Sequence, residues 1–125
     1  MKFNLRVFPE LYSIYKLRDL SRITLPSTRE FFSLTVTDDE YSLISSIEID
    51  SQYESVSRNW KCIKVDGELP FDAVGVTATL CSVVADGGVS LFAVCTHDRD
   101  FILVEENTLE QAVELLKAAG HIFVH

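Results

Sequence analysis

The chain has 125 residues and a formal net charge of −8, with 11 Lys and Arg against 19 Asp and Glu. Hydrophobic residues make up 47% and charged residues 24%, an ordinary globular balance that excludes a disordered chain. The acidic residues are scattered and no basic cluster occurs, so neither nucleic acid nor an anionic membrane surface is an expected partner.

A chain of this length buries roughly two-thirds of the surface its unfolded form exposes, enough for a core without staples. Cys62, Cys81 and Cys95 are odd in number, widely spaced and set among apolar neighbours, which reads as buried free thiols in a reducing compartment. His97, His121 and His125 show no ligand spacing with them, so no metal or cofactor is expected. Residues 1–6 lack a continuous apolar segment of the signal-peptide kind. The longest apolar stretch is interrupted by Asp86-Gly87-Gly88 and is too short to span a bilayer. A cytoplasmic location is expected.

Phe3, Leu5 and Val7 alternate with Lys2, Asn4 and Arg6, the period of a half-buried strand, and Pro9 breaks it. Leu11 to Leu17 reads as a second strand. A polar connection, 18–30, leads to Phe31–Thr37, rich in aromatic and β-branched residues and read as a strand. Asp38-Asp39-Glu40 turns the chain, and Tyr41–Ile47 is the returning arm of a hairpin. The polar segment 48–58 is read as a seam between two halves, 1–57 and 58–125.

In the second half, Trp60–Val65 is a strand and Asp66-Gly67 a turn. Asp72 is placed to cap a helix whose apolar stripe is Val76, Leu80 and Val83, and Asp86-Gly87-Gly88 ends it. Val89–Cys95 and Phe101–Glu105 are nearly continuous apolar runs, as in strands buried on both faces, joined by the polar loop Thr96 to Asp100. Asn107 with Glu110 has the form of a capping box opening a last helix, with Leu109, Ala112, Val113, Leu116 and Ala119 on its apolar face. His121–His125 closes the chain as a strand. Strand, helix, strand, strand, helix, strand is the order of the ferredoxin-like split βαβ, an α+β fold.

The segment Asp72-x-x-Gly75-Val76, then Leu80, then Ala85-Asp86-Gly87-Gly88-Val89-Ser90, resembles the amino-acid-binding regulatory ACT domain. Tyr12-Ser13-Ile14-Tyr15-Lys16-Leu17, Phe31-Phe32-Ser33-Leu34-Thr35, Trp60 to Gly67 and Leu91 to Val104 together look like the tandem ACT-like subgroup related to the cytosolic arginine sensor of animal cells. The chain departs from that pattern at Cys95, His97 and Arg99. The resemblance implies a pair of ACT-like folds, the first abbreviated, holding an amino acid at a domain or subunit interface of a homodimer and not acting as a catalyst.

The residues themselves carry a ligand reading too. Gly75 near a helix start lets a carboxylate approach free backbone N–H groups at the positive end of the helix dipole. Asp72, Gly75 and Val76 are therefore candidate ligand contacts, together with Thr96 and Asp100, whose carboxylate suits an ammonium or guanidinium. Against this, Asp and Thr routinely satisfy turn backbone. Cys95 and His97 stand two apart, but no orienting group or oxyanion hole accompanies them, so no catalytic residue is assigned. The alternative to a sensor is a ligand-free structural or interaction module of the same fold.

Overall fold

The computed structural model describes residues 2–27, 31–50, 52–66 and 75–124. They divide into two compact units, residues 1–9 with 61–125, and residues 10–60.

The first unit holds β1 (Asn4–Val7), the later part of β5 (Tyr53–Asp66), α1 (Val76–Asp86), β6 (Leu91–Cys95), β7 (Asp100–Glu105), α2 (Leu109–Ala118) and β8 (Ile122–Phe123). Its strands lie in the order β6-β7-β5-β1-β8. From β5 onward the chain is the split βαβ, with one insertion. β1 lies between β5 and β8, antiparallel to β5 with Leu5 opposite Val65 and parallel to β8 with Leu5 opposite Phe123. The amino-terminal strand therefore belongs to the later unit, a pairing that its alternation alone left open.

One core unites the two helices with the sheet. Val76, Leu80 and Val84 of α1 and Ala112 and Leu116 of α2 pack with Leu5, Ile63, Val65, Ile102 and Val104. The buried stripe of α1 is thus i, i+4, i+8, while Val83 is only partly buried at its flank. Both helices end in paired Schellman bonds. Gly88 N–H donates to Ala85 O and Val89 N–H to Val84 O, with Gly88 at φ +86° where an L side chain would be strained. Gly120 and His121 end α2 in the same way on Lys117 O and Leu116 O.

Three expectations are corrected. Asn107 does not cap α2: residues Glu106–Thr108 form a 3-10 turn, Thr108 is the N-cap, and its hydroxyl donates to Glu105 O. β6 is not buried on both faces. It ends the strand order, and Phe92, Ala93 and Cys95 are exposed, whereas β7 is buried along residues 100–104. The apolar run therefore belongs to an edge strand, not a central one. The thiols also differ among themselves: Cys62 is fully buried, Cys81 half-buried and Cys95 exposed. Burial pushes the Cys62 thiol up to about 12.

The second unit contains β2 (Tyr12–Leu17), β3 (Phe32–Val36), β4 (Tyr41–Ser45) and the earlier part of β5, in the order β3-β4-β2-β5. The β3–β4 hairpin and the β2–β4 and β2–β5 ladders are all antiparallel. Tyr15, Leu17 and Leu43 form its core, with Ile23, Phe32, Ile49 and Val56 against them. The polar segment read as a seam is largely strand: β5 begins at Tyr53 and tolerates polar residues because most of them are exposed. It also carries a bulge. Tyr12 pairs with Trp60 and Ile14 with Ser57, so one extra residue is taken up on β5, where Asn59 adopts φ +66°. Trp60 Nε1 donates to Ser57 Oγ across it, 2.8 Å.

Candidate functional site

α1 opens at Gly75, which sits at φ +78°, a left-handed conformation that glycine takes without a Cβ penalty. Among the described residues no side chain caps the helix start, and its first turn contains no acidic residue. A helix start in this state presents backbone N–H donors and the positive end of the helix dipole together. The Gly75 carbonyl is occupied, since it accepts from Thr79 N–H at 2.8 Å and from Thr79 Oγ1 at 2.6 Å. Val76, the next residue, is a buried core member. Asp72 lies outside the described residues.

At the other side of the site, β6 and β7 close on Cys95 opposite Asp100. Thr96 completes the turn: its N–H and Oγ1 both donate to Arg99 O, at 2.8 and 3.1 Å, and its Oγ1 accepts from Arg99 N–H. The hydroxyl of Thr96 thus serves the turn. Asp100 is buried, with 8% of its surface exposed.

The residue that joins these two sides is Thr77, which the sequence reading did not single out. Its Oγ1 donates to Asp100 Oδ2 at 2.7 Å and lies 3.2 Å from Cys95 Sγ. A threonine hydroxyl has one proton, and here it goes to the carboxylate, so the Cys95 S–H is the donor in the second contact. The result is a chain from thiol to hydroxyl to carboxylate, running from the edge strand across the first turn of α1 to β7. The signal available in sequence was position: Thr77 is in the first helical turn, two residues after Gly75. Cys81 follows one turn later. Its thiol is raised above the usual cysteine range by burial first, then by Cys95 and Asp100 nearby.

Cys95 and His97 have different partners. The Cys95 sulfur meets Thr77, and His97 Nδ1 meets Asp98 Oδ1 at 2.6 Å on an exposed loop. Arg99 Nη1 donates to Asp98 O rather than to its carboxylate. Among the described residues, no three His, Cys, Asp or Glu side chains gather as metal ligands, and no helix is long and apolar enough to cross a membrane.

The order of elements, the mixed sheet and the two helices packed into one core define a ferredoxin-type α+β module. Residues 55–118, just over half of the chain, match the model of the ACT domain family, and the chain belongs to that family. Across 100 residues it is 23% identical to subunit 1 of the cytosolic arginine sensor for mTORC1 from Homo sapiens, and equally to that of Pongo abelii. That match takes in 74% of this chain and 30% of the relatives, so the chain spans less than a third of their length. Among solved structures, a protein from Agobacterium tumefaciens is 32% identical with a TM-score of 0.81, covering 99% of this chain and 93% of its own. The regulatory subunit of aspartate kinase from Thermus flavus shares the fold, with a TM-score of 0.64 at 10% identity over 95% of this chain and 99% of its own.

Proposed function

We propose that this chain is a regulatory module that binds an amino acid or a similar small zwitterion at a domain or subunit interface. The observation that carries the reading is the Thr77 bridge, which ties the first turn of α1 to the buried carboxylate of Asp100 in a member of the ACT family. The ligand carboxylate meets the N–H groups at Gly75 and Val76, and Asp72 is kept as a candidate contact from the sequence. The ligand cation meets Asp100, held at the site by Thr77, and Thr96 lies at the adjoining turn. An arginine sensor among the relatives supports a cationic amino acid as the first ligand to try.

In this reading the 10–60 unit is an abbreviated ACT-like fold, the module acts as a cytoplasmic homodimer, and the ligand favours one packing over another by binding it more tightly. None of these residues is assigned catalysis. A ligand that binds only the folded state raises its stability by mass action. A thermal-shift screen of the twenty amino acids is therefore the test. One amino acid is expected to raise the melting temperature in wild type and to lose most of that effect in Asp100→Asn. If none does so, the ligand-free interaction module is the better account.

A further inference from the structure

Two thiols on the α1 side of β6 are left unused by the ligand reading. Val76, Leu80 and Val84 of α1 fill the core. Thr77 and Cys81, each one position further on, form the neighbouring row of the helix, one turn apart. Residues four apart on a helix are neighbours, with Cβ atoms about 5–6 Å from each other. Helical Cα–Cβ bonds tilt toward the amino terminus, so the Cys81 side chain leans along this row toward Thr77. Cys95 meets the row from β6, its Sγ 3.2 Å from Thr77 Oγ1. Cys95 and Asp100 are register partners at the end of the β6–β7 ladder. Both act on the Cys81 thiol, which burial first and then these two groups hold above the usual cysteine range. An influence of that kind falls off with distance, so it places the two sulfurs in one cluster.

The two thiols differ in access. Cys95 is exposed and is the last residue of a strand that ends the strand order. Cys81 is half-buried on the helix behind it. An exposed thiol beside a less accessible one is the arrangement of an attacking and a resolving cysteine. The first meets an oxidant from solvent, and the second is reached through the first. A disulfide needs Cβ atoms about 3.5–4.5 Å apart. The end of an edge strand, followed by the exposed turn at Thr96, His97 and Asp98, can close on α1 without opening the core. Cys62 stands apart from the pair, fully buried on β5.

We infer that Cys81 and Cys95 are a redox pair that closes reversibly to a disulfide, with a low-molecular-weight disulfide of the glutathione kind as oxidant. The Cys95 thiolate attacks one sulfur of the oxidant. The oxidant's S–S bond breaks, a mixed disulfide forms at Cys95, and one small thiolate leaves and takes a proton from water. Cys81 then gives its proton to solvent, and its thiolate attacks the Cys95 sulfur. The Cys81–Cys95 bond forms and the second small thiolate leaves. Two cysteine thiols are oxidised by two electrons, and one small disulfide is reduced to two thiols. Closure removes the S–H that Cys95 donates to Thr77 and ties α1 covalently to β6. The inference concerns the thiols alone and does not rest on the binding of an amino acid.

The test uses the full chain, reduced, freed of reductant and incubated with oxidised glutathione at about pH 8.5, near the ordinary cysteine pKa. Free thiols are then blocked with N-ethylmaleimide after unfolding, and the product is mapped by mass spectrometry. The expected product is a single chain lighter by two hydrogens, with Cys81 linked to Cys95, Cys62 blocked by maleimide, and all three thiols restored by dithiothreitol. In Cys81→Ala the reaction is expected to stop with glutathione on Cys95. In Cys95→Ala, Cys81 is expected to react at least about tenfold more slowly than Cys95 does in wild type, because it is less exposed. A wild-type chain that keeps glutathione on Cys95 while Cys81 stays free overturns the pair. A disulfide that links two chains, or one that uses Cys62, overturns it as well.

Discussion

At the start of α1, Cys95, Thr77 and Asp100 share two hydrogen bonds, and the middle hydroxyl holds both. Thr77→Val keeps the side-chain volume and removes the proton donated to a buried carboxylate. An unsatisfied buried acceptor costs about 1–3 kcal/mol, more when charged, so urea unfolding is expected to show a loss of that order, largely absent in Thr77→Ser. His121 is the second telling residue. It is buried after the end of α2, its Nδ1 accepts from Phe3 N–H at 3.1 Å, and its ring stacks on Phe3. Burial lowers its pKa from the ordinary 6.5. The sign follows. Above 6.5 the ring is neutral in folded and unfolded chains alike. As pH falls below 6.5 the unfolded chain takes the proton first, and stability declines until the folded ring titrates as well. His121→Asn keeps an acceptor for Phe3 but cannot titrate. The decline in stability between pH 6.5 and 5 is expected to be shallower in that variant, as measured by urea midpoints.

Among the elements, the two helices depend on a missing side chain. A Cβ at Gly87 would lie 2.4 and 2.8 Å from the two methyls of Leu115. Gly87 has a negative φ of −82°, so what alanine meets there is α2, not backbone strain. Gly87→Ala is expected to lower stability by about 1–3 kcal/mol, the range for overpacking. Leu115→Ala in the same chain is expected to recover part of it, and a double-mutant cycle by thermal melting checks the coupling. The glycine pair at 87–88 was legible in sequence as a helix stop. The packing use of Gly87 was not, because Leu115 is 28 positions away and only the docking of α1 on α2 brings it near. The strands divide in the same manner. The alternation of Phe3, Leu5 and Val7 marks β1, but its partners, β5 on one side and β8 on the other, are decided by which ladders are left open once the split βαβ has formed.

For the molecule as a whole, β5 is the shared piece: residues 53–60 pair in the second unit and 61–66 in the first. Leu80 in one core and Leu43 in the other are both fully buried. Each change to alanine is expected to cost about 2–5 kcal/mol from lost burial and the cavity left behind. Both losses are read by circular dichroism and tryptophan fluorescence in parallel.

By itself the sequence determined what local rules govern. Period-two alternation, the apolar stripe of α1, the paired glycines and the strand–helix order identified the split βαβ, and ordered motifs such as Tyr12 to Leu17 and Trp60 to Gly67 pointed to the ACT family. The candidate site was half legible: Gly75 and Asp100 stand out by residue type, but the hydroxyl that links them belongs to Thr77, an unremarkable threonine until α1 lies against the end of β6 and β7. Tertiary structure also decided the edge position of β6, the insertion of β1 and the nearness of Cys81 to Cys95. These depend on residues far apart in sequence, where the free energy of pairing and burial is set by what the rest of the chain leaves exposed, not by the propensity of the segment itself.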